Sequence, residues 1–213
     1  MKRKYGDKLP GRKDGRGRRK NKNLKIKILL FNMPLSDMTM WKFQNWDRDY
    51  KQRLGENVFN FLQKDQNLMS YLSDHKYIWG QIKTQARSYQ LEDNSLFVLV
   101  ICKIFEGVLI LLSKEMNWFD KFNNRKTPES IRAFLLNNRK NIEQEIDNYP
   151  NLSAQQKQEI KDKFFSTVND FKERHKAVHY GSKLSLGEID NYDAILTKIR
   201  EVLSVFLDNG LIK

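Results

Sequence analysis

The stretch SLFVLVICKIFEGVLILLSKEMN, Ser95 to Asn117, is apolar nearly all the way round, and its reading decides the fold. Between Ser95 and Ser113 the only charges are Lys103 and Glu106, and a bilayer-spanning helix would carry a heavy cost for both. The stretch therefore predicts the buried central helix of a soluble helical bundle, with Ser95 as its N-cap and no membrane association. Cys102, the single cysteine of the chain, lies inside it. That excludes an intramolecular disulfide framework and a Cys-based zinc cluster, and it fits a reducing cytoplasm.

Downstream, the sequence marks where helices begin and end. TPES, Thr127 to Ser130, offers an N-cap threonine with Pro128 at the first helical position. SAQQ (Ser153 to Gln156) and SLGE (Ser185 to Glu188) both have capping-box spacing. The helix after Ser153 carries Ile160, Phe164, Val168, Phe171 and Val178 at near-helical spacing, with Gly181 placed as its stop. The last helix carries Ile189, Ile195, Leu196, Ile199, Val202, Leu203 and Phe206 and ends before Gly210. With the central helix these predict a mainly α protein whose residues 87–213 form a helical bundle.

Upstream, Trp41 to Arg87 is helical but broken, with Val58, Phe61, Leu62, Met69 and Leu72 at three- and four-residue spacings. Its aromatics Trp41, Phe43, Trp46, Tyr50 and Trp79 are assigned to packing rather than to base stacking. LKIKILLF, Leu24 to Phe31, alternates like a short strand, so residues 24–86 are expected as a small N-terminal α or α+β subdomain. Residues 1–23 are a basic arm, expected to be flexible, with no apolar run of the kind a secretory signal needs.

The chain's net charge of +13 is unevenly placed. Residues 1–27 hold 13 Lys and Arg against 2 Asp, a net of +11, whereas the other 186 residues hold 26 against 24, a net of +2. Such an arm suits phosphate backbones through counterion release; its alternative is a solubilising terminus.

Most familiar catalytic motifs are absent: there is no phosphate loop, no Gly-x-Ser-x-Gly, no HExxH and no paired Cys/His ligands. His75 stands alone in a polar stretch and is expected to be solvated. The cluster DFKERHKAVHYGSK, Asp170 to Lys183, concentrates the remaining candidates. His175 and His179 are four apart, a zinc-compatible spacing, but no third ligand is evident and Lys176 would repel a cation. Neither a metal nor another cofactor is expected.

A metal-free route uses the same residues. Attack of an RNA 2′-hydroxyl on its neighbouring phosphate needs a base, an acid and a cation. Histidine titrates near neutrality and arginine clamps phosphate oxygens, so Arg174 and His179 can cover these roles. Five helical steps set them about 140° apart on an ideal helix. The spacing suggests a site at a helix end, where Gly181 permits unwinding, or at a dimer seam.

RHKAVH, Arg174 to His179, resembles the R-x4-H signature of the HEPN superfamily. The resemblance implies a HEPN-like helical bundle that forms a homodimer and cleaves RNA without a metal, two motifs meeting at the seam. LEDNSLFVLVICKIFEGVLILL, Leu91 to Leu112, with Asp93 and Glu106 ahead of the Arg/His pair, looks like the C-terminal domain of RNase LS-type toxins. Those are ribonucleases of phage-responsive toxin–antitoxin systems, and the likeness covers residues 87–213. It implies Asp93, Glu106, Arg174 and His179 as catalytic residues, RNA as substrate and a protein antitoxin as partner.

Each residue has a simpler alternative. Glu106 can pair with Lys103 at i, i+3, and Asp93 can sit near the N-terminal cap, about 20 Å from Glu106 along a continuous helix. His175 and Lys176 are either RNA phosphate contacts or solvated, and Tyr180 either stacks on a base or packs. For the whole chain the alternative is a non-catalytic RNA-binding or scaffold HEPN module. A HEPN partner of a nucleotidyltransferase antitoxin would want tyrosine two residues after the histidine, where Gly181 stands.

Overall fold

The computed structural model describes residues 46–78, 95–122, 130–170 and 186–213, and every regular element among them is a helix. In chain order these are α1 Trp46–Leu54, α2 Glu56–Leu62, α3 Gln66–Tyr77, α4 Ser95–Glu115, α5 Trp118–Lys121, α6 Ile131–Asn137, α7 Arg139–Asp147, α8 Ala154–Asp170 and α9 Leu186–Asp208. The protein is mainly α, a helical bundle. None of the described helices is long and apolar enough to cross a membrane.

The apolar run from Ser95 is the 21-residue α4, and it lies at the centre. Val98, Ile101, Cys102, Ile104, Phe105, Val108, Leu109, Leu111 and Leu112 are all buried, so most of its circumference is covered. Its main packing partners are α3 and α9. Ser95, expected as the N-cap, is itself already helical.

Helices α1 to α3 come from the span expected to form a small subdomain, and they join the same core. Tyr50, Leu54, Phe59, Leu62, Leu68 and Leu72 belong to one apolar cluster with the residues of α4 and α9. Of the aromatics assigned to packing, Trp46 stacks edge-on to Tyr50 at 6.2 Å and lies 6.1 Å from Phe59. Asp65 caps α3, its carboxylate accepting from the backbone N–H groups of Asn67 (2.9 Å) and Leu68 (3.2 Å). Lys76 on α3 is ion-paired with Asp49 on α1, and its hydrogen bond holds that carboxyl below its ordinary range. The stability this pair contributes is present at neutral pH and is lost as pH falls through the lowered value. The strand expected at Leu24–Phe31, and Trp41, Phe43 and Trp79, lie outside the described residues.

One glycine explains how closely α3 approaches α4. A Cβ on Gly107 would lie 2.5 Å from Cδ2 of the buried Leu68 and 3.1 Å from its Cγ. Hence Gly107→Val should destabilise the fold by about 1–3 kcal/mol through overpacking, read as a lower urea midpoint. Adding Leu68→Ala should cost less than the sum of the two single changes, because it removes the colliding atoms.

The ends of the later helices follow their signals, with one correction. Helix α6 is capped by Ser130, whose Oγ accepts from Ala133 N–H at 3.4 Å, and not by Thr127 with Pro128. Its pattern breaks at Asn138, whose side chain donates to the Phe134 carbonyl at 2.9 Å, and α7 restarts there. The capping box at the start of α8 is formed in both directions: Gln156 N–H donates to Ser153 Oγ (3.2 Å), and Ser153 N–H donates to Gln156 Oε1 (2.9 Å). Lys157 donates to the terminal carbonyl of α7 at Asp147 (2.7 Å), and Lys161 pairs with the carboxylate of the same residue (2.9 Å). That ties α7 to α8 and satisfies a helix C-terminus with cations.

At the far end, α9 closes in a Schellman turn. Gly210 has φ +68°, its N–H bonds to Leu207 O (3.0 Å), and Leu211 N–H reaches back to Phe206 O (3.0 Å). Gly210 is the stop foreseen in the sequence.

Candidate active site

In sequence, the Arg/His motif lies between helices α8 and α9. Gln156, at the start of α8, donates to Asn209, just past the end of α9, at 2.8 Å. Asp170, at the other end of α8, is ion-paired with Lys198 in the middle of α9. The two helices are therefore antiparallel, and residues 186–197 of α9 extend about 18 Å beyond the level of Asp170. The sequence from Phe171 to Ser185, which carries R-x4-H, joins them.

Two shallow clefts run along the α8/α9 seam. The larger, about 470 Å³, is bordered by Glu159, Lys163, Arg200, Glu201 and Asp208. The smaller, about 240 Å³, lies toward the Asp170 end and includes Asp162, Ser166 and Lys198. Their charges are mixed, and Lys163 is already paired with Glu159 at 2.6 Å. Among the described residues no three His, Cys, Asp or Glu side chains are grouped so as to hold a metal ion.

Of the seven residues proposed from sequence, Glu106 is the one within the described residues. Asp93, Arg174, His175, Lys176, His179 and Tyr180 lie outside them, as do Phe171, Val178, Gly181 and Ser185. Glu106 projects from the one face of α4 that the core leaves uncovered, shared with Leu99 and Lys103 at i, i+4, i+7 spacing. Its side chain is 15 % exposed, while Lys103 is 47 % exposed. Their ion pair, at 3.6 Å, is the i, i+3 contact foreseen as the simpler alternative; it is longer than a hydrogen bond. Glu106 is thus a largely covered carboxylate on the central helix, beside the Lys103 cation.

No family model, curated protein or solved structure matches the chain.

The remaining histidine with a described position departs from expectation. His75 is not solvated: it is 1 % exposed, its Nδ1 is hydrogen-bonded to the Tyr50 hydroxyl, and its ring meets the Tyr50 ring edge-on at 6.1 Å. The cause is tertiary. Helices α1 and α3 pack side by side, and the tyrosine gives the imidazole a polar partner inside the core. His75 is thus a structural link between two helices, away from solvent-borne substrate.

Glu106 and Lys103 offer a test that separates their roles. Lys103 is half-exposed and the pair is longer than a hydrogen bond, so the lysine should contribute less than about 1 kcal/mol and Lys103→Met should shift the denaturation midpoint only slightly. Glu106→Gln removes the charge of the more buried partner and should cost more stability than Lys103→Met, read in the same denaturation experiment.

Proposed function

We propose that the protein is a metal-independent endoribonuclease of HEPN type. It acts in the cytoplasm, in a toxin–antitoxin or phage-defence system, as a homodimer restrained by a protein antitoxin. The observation that carries this reading is the sequence RHKAVH between two long antiparallel helices of an all-helical core whose central helix bears Glu106.

In this reading His179 takes the proton from an RNA 2′-hydroxyl. The freed oxygen attacks the adjacent phosphorus, a 2′,3′-cyclic phosphate forms, and the bond from phosphorus to the 5′-oxygen breaks. The leaving 5′-oxygen takes a proton from the histidine of the second motif across the dimer. Arg174 stabilises the negative charge that grows on the phosphate oxygens. Glu106 orients Arg174 or favours the charged form of His179, and Asp93 completes the acid set. His175 and Lys176 contact flanking phosphates, and Tyr180 stacks on a base.

The test is the chemistry of the products. RNA incubated with the pure protein in EDTA should yield fragments ending in 2′,3′-cyclic phosphate and 5′-hydroxyl. Cleavage that requires a divalent ion, or that leaves 5′-phosphate ends, would overturn the mechanism. The second reading, a non-catalytic RNA-binding module, is favoured by the net charge of +11 on residues 1–27. It expects salt-sensitive binding with no products at all.

A further inference from the structure

Asn209 and Gly210, in the turn that closes α9, form the one Asn-Gly pair of the chain. In such a pair the glycine backbone nitrogen can attack the asparagine side-chain carbonyl carbon, because no Cβ on the glycine obstructs the approach. Gly210 is exposed, and a Cβ built there would meet no atom within 4 Å, so water and hydroxide reach it. What opposes the attack is the way the asparagine is fastened. Its Nδ2 donates to the Val205 carbonyl at 2.8 Å, which draws the side chain back over the preceding turn, away from the nitrogen that follows it. Its Oδ1 accepts from Gln156 Nε2 of α8, also at 2.8 Å, and Gly210 N–H is itself engaged with Leu207 O at 3.0 Å. The direction of this hydrogen-bond chain is forced at both ends. The Val205 carbonyl can only accept and Ser153 N–H can only donate, so Gln156 turns Oε1 to Ser153 and leaves Nε2 for Asn209.

We propose that Asn209 is a site of spontaneous deamidation, restrained by Gln156 while α8 and α9 are fastened together, and that its acidic product unfastens them. Once the side chain swings free, Gly210 N bonds to Asn209 Cγ and the Cγ–Nδ2 bond breaks. The glycine proton passes through solvent to the departing nitrogen, which leaves as ammonia. Water, the only co-reactant, then opens the cyclic imide at either carbonyl. Opening at Cγ gives aspartate, and opening at the main-chain carbonyl gives isoaspartate, whose chain runs through the side-chain carbon.

Both products damage the same fastening. Aspartate sets a carboxylate oxygen, in place of a donor, against the Val205 carbonyl oxygen. It also adds negative charge to a cleft that Glu159, Glu201 and Asp208 already border. Isoaspartate inserts an extra carbon into the Schellman turn and shifts the register of the Gly210 and Leu211 N–H bonds to Leu207 and Phe206. That turn holds Leu211 and Ile212 in the apolar cluster.

The experiment holds the full-length protein at mildly alkaline pH, folded or in guanidinium chloride. Mass spectrometry of peptides spanning residue 209 then separates asparagine, aspartate and isoaspartate. Unfolded wild type should convert at least about tenfold faster than folded wild type, because local opening limits the native reaction. Gln156→Glu is the discriminating variant: its carboxylate still closes the box with Ser153 N–H but offers Asn209 no donor. Folded, it should convert about two- to tenfold faster than wild type, the effect of one net hydrogen bond; unfolded, it should match wild type. Asn209→Asp, which carries the product's charge from the start, should unfold at a lower denaturant midpoint than wild type. Equal rates for folded and unfolded wild type, or an unchanged rate in folded Gln156→Glu, would overturn the proposal. So would the absence of product in the unfolded chain, or an Asn209→Asp variant as stable as wild type.

Discussion

His179→Ala is expected to lower RNA cleavage in EDTA by about 10²–10⁴-fold, the usual worth of a positioned general acid–base. The assignment rests on the match of Arg174 to His179 with R-x4-H, and on the need of 2′-hydroxyl attack for a group that titrates near neutrality. The pH dependence supplies a second readout. Wild-type rate should show a limb near the histidine range, and the residual rate of the variant should lack it. Arg174→Lys should also be impaired, because a point charge replaces a planar fork that grips two phosphate oxygens. Equal cleavage by wild type and His179→Ala would remove the catalytic reading and leave an RNA-binding bundle.

Trp118→Ala should cost about 3–5 kcal/mol of stability. For a chain of this size that corresponds to a fall in Tm on the order of 10 °C, measurable by far-UV circular dichroism. Trp118 follows the turn at Asn117 that ends α4, is fully buried, and meets Phe164 of α8 at 5.3 Å and Phe206 of α9 at 6.4 Å. Truncation would therefore open a cavity where three helices converge. Trp118→Phe should behave very differently, staying within about 1.5 kcal/mol of wild type. The indole Nε1 is buried without a hydrogen-bond partner, so replacing it with carbon removes a desolvation cost that offsets part of the lost volume. Similar losses in both variants would show that indole volume alone governs the site.

The parts of this fold that sequence made legible were those decided locally. The all-round apolar run of α4, the reciprocal Ser153/Gln156 box and the Gly210 stop each depend on residues within a turn of one another. Between Thr127 and Ser130 two capping residues compete within four positions, and the apolar set of Ile131, Phe134 and Leu135 starts only after the second. His75 was illegible for a different reason. Its neighbours in sequence are polar, and the tyrosine that makes its burial tolerable is 25 residues away on another helix. The need for glycine at 107 is likewise set from a distance, by Leu68 on another helix. For the candidate site, the sequence named the residue types and their spacing. The described residues add the uncovered face that carries Glu106 and the antiparallel helices on either side of the motif.

The solitary thiol at the centre of α4 gives the molecule a built-in clock. Cys102 is 2 % exposed amid the apolar cluster, so an alkylating reagent can reach it only when the core opens. Because α4 packs against both α3 and α9, that opening has to move α4 away from a neighbouring helix. The rate at which Cys102 is labelled under native conditions therefore reports the rare openings of the core around α4, with no residue changed.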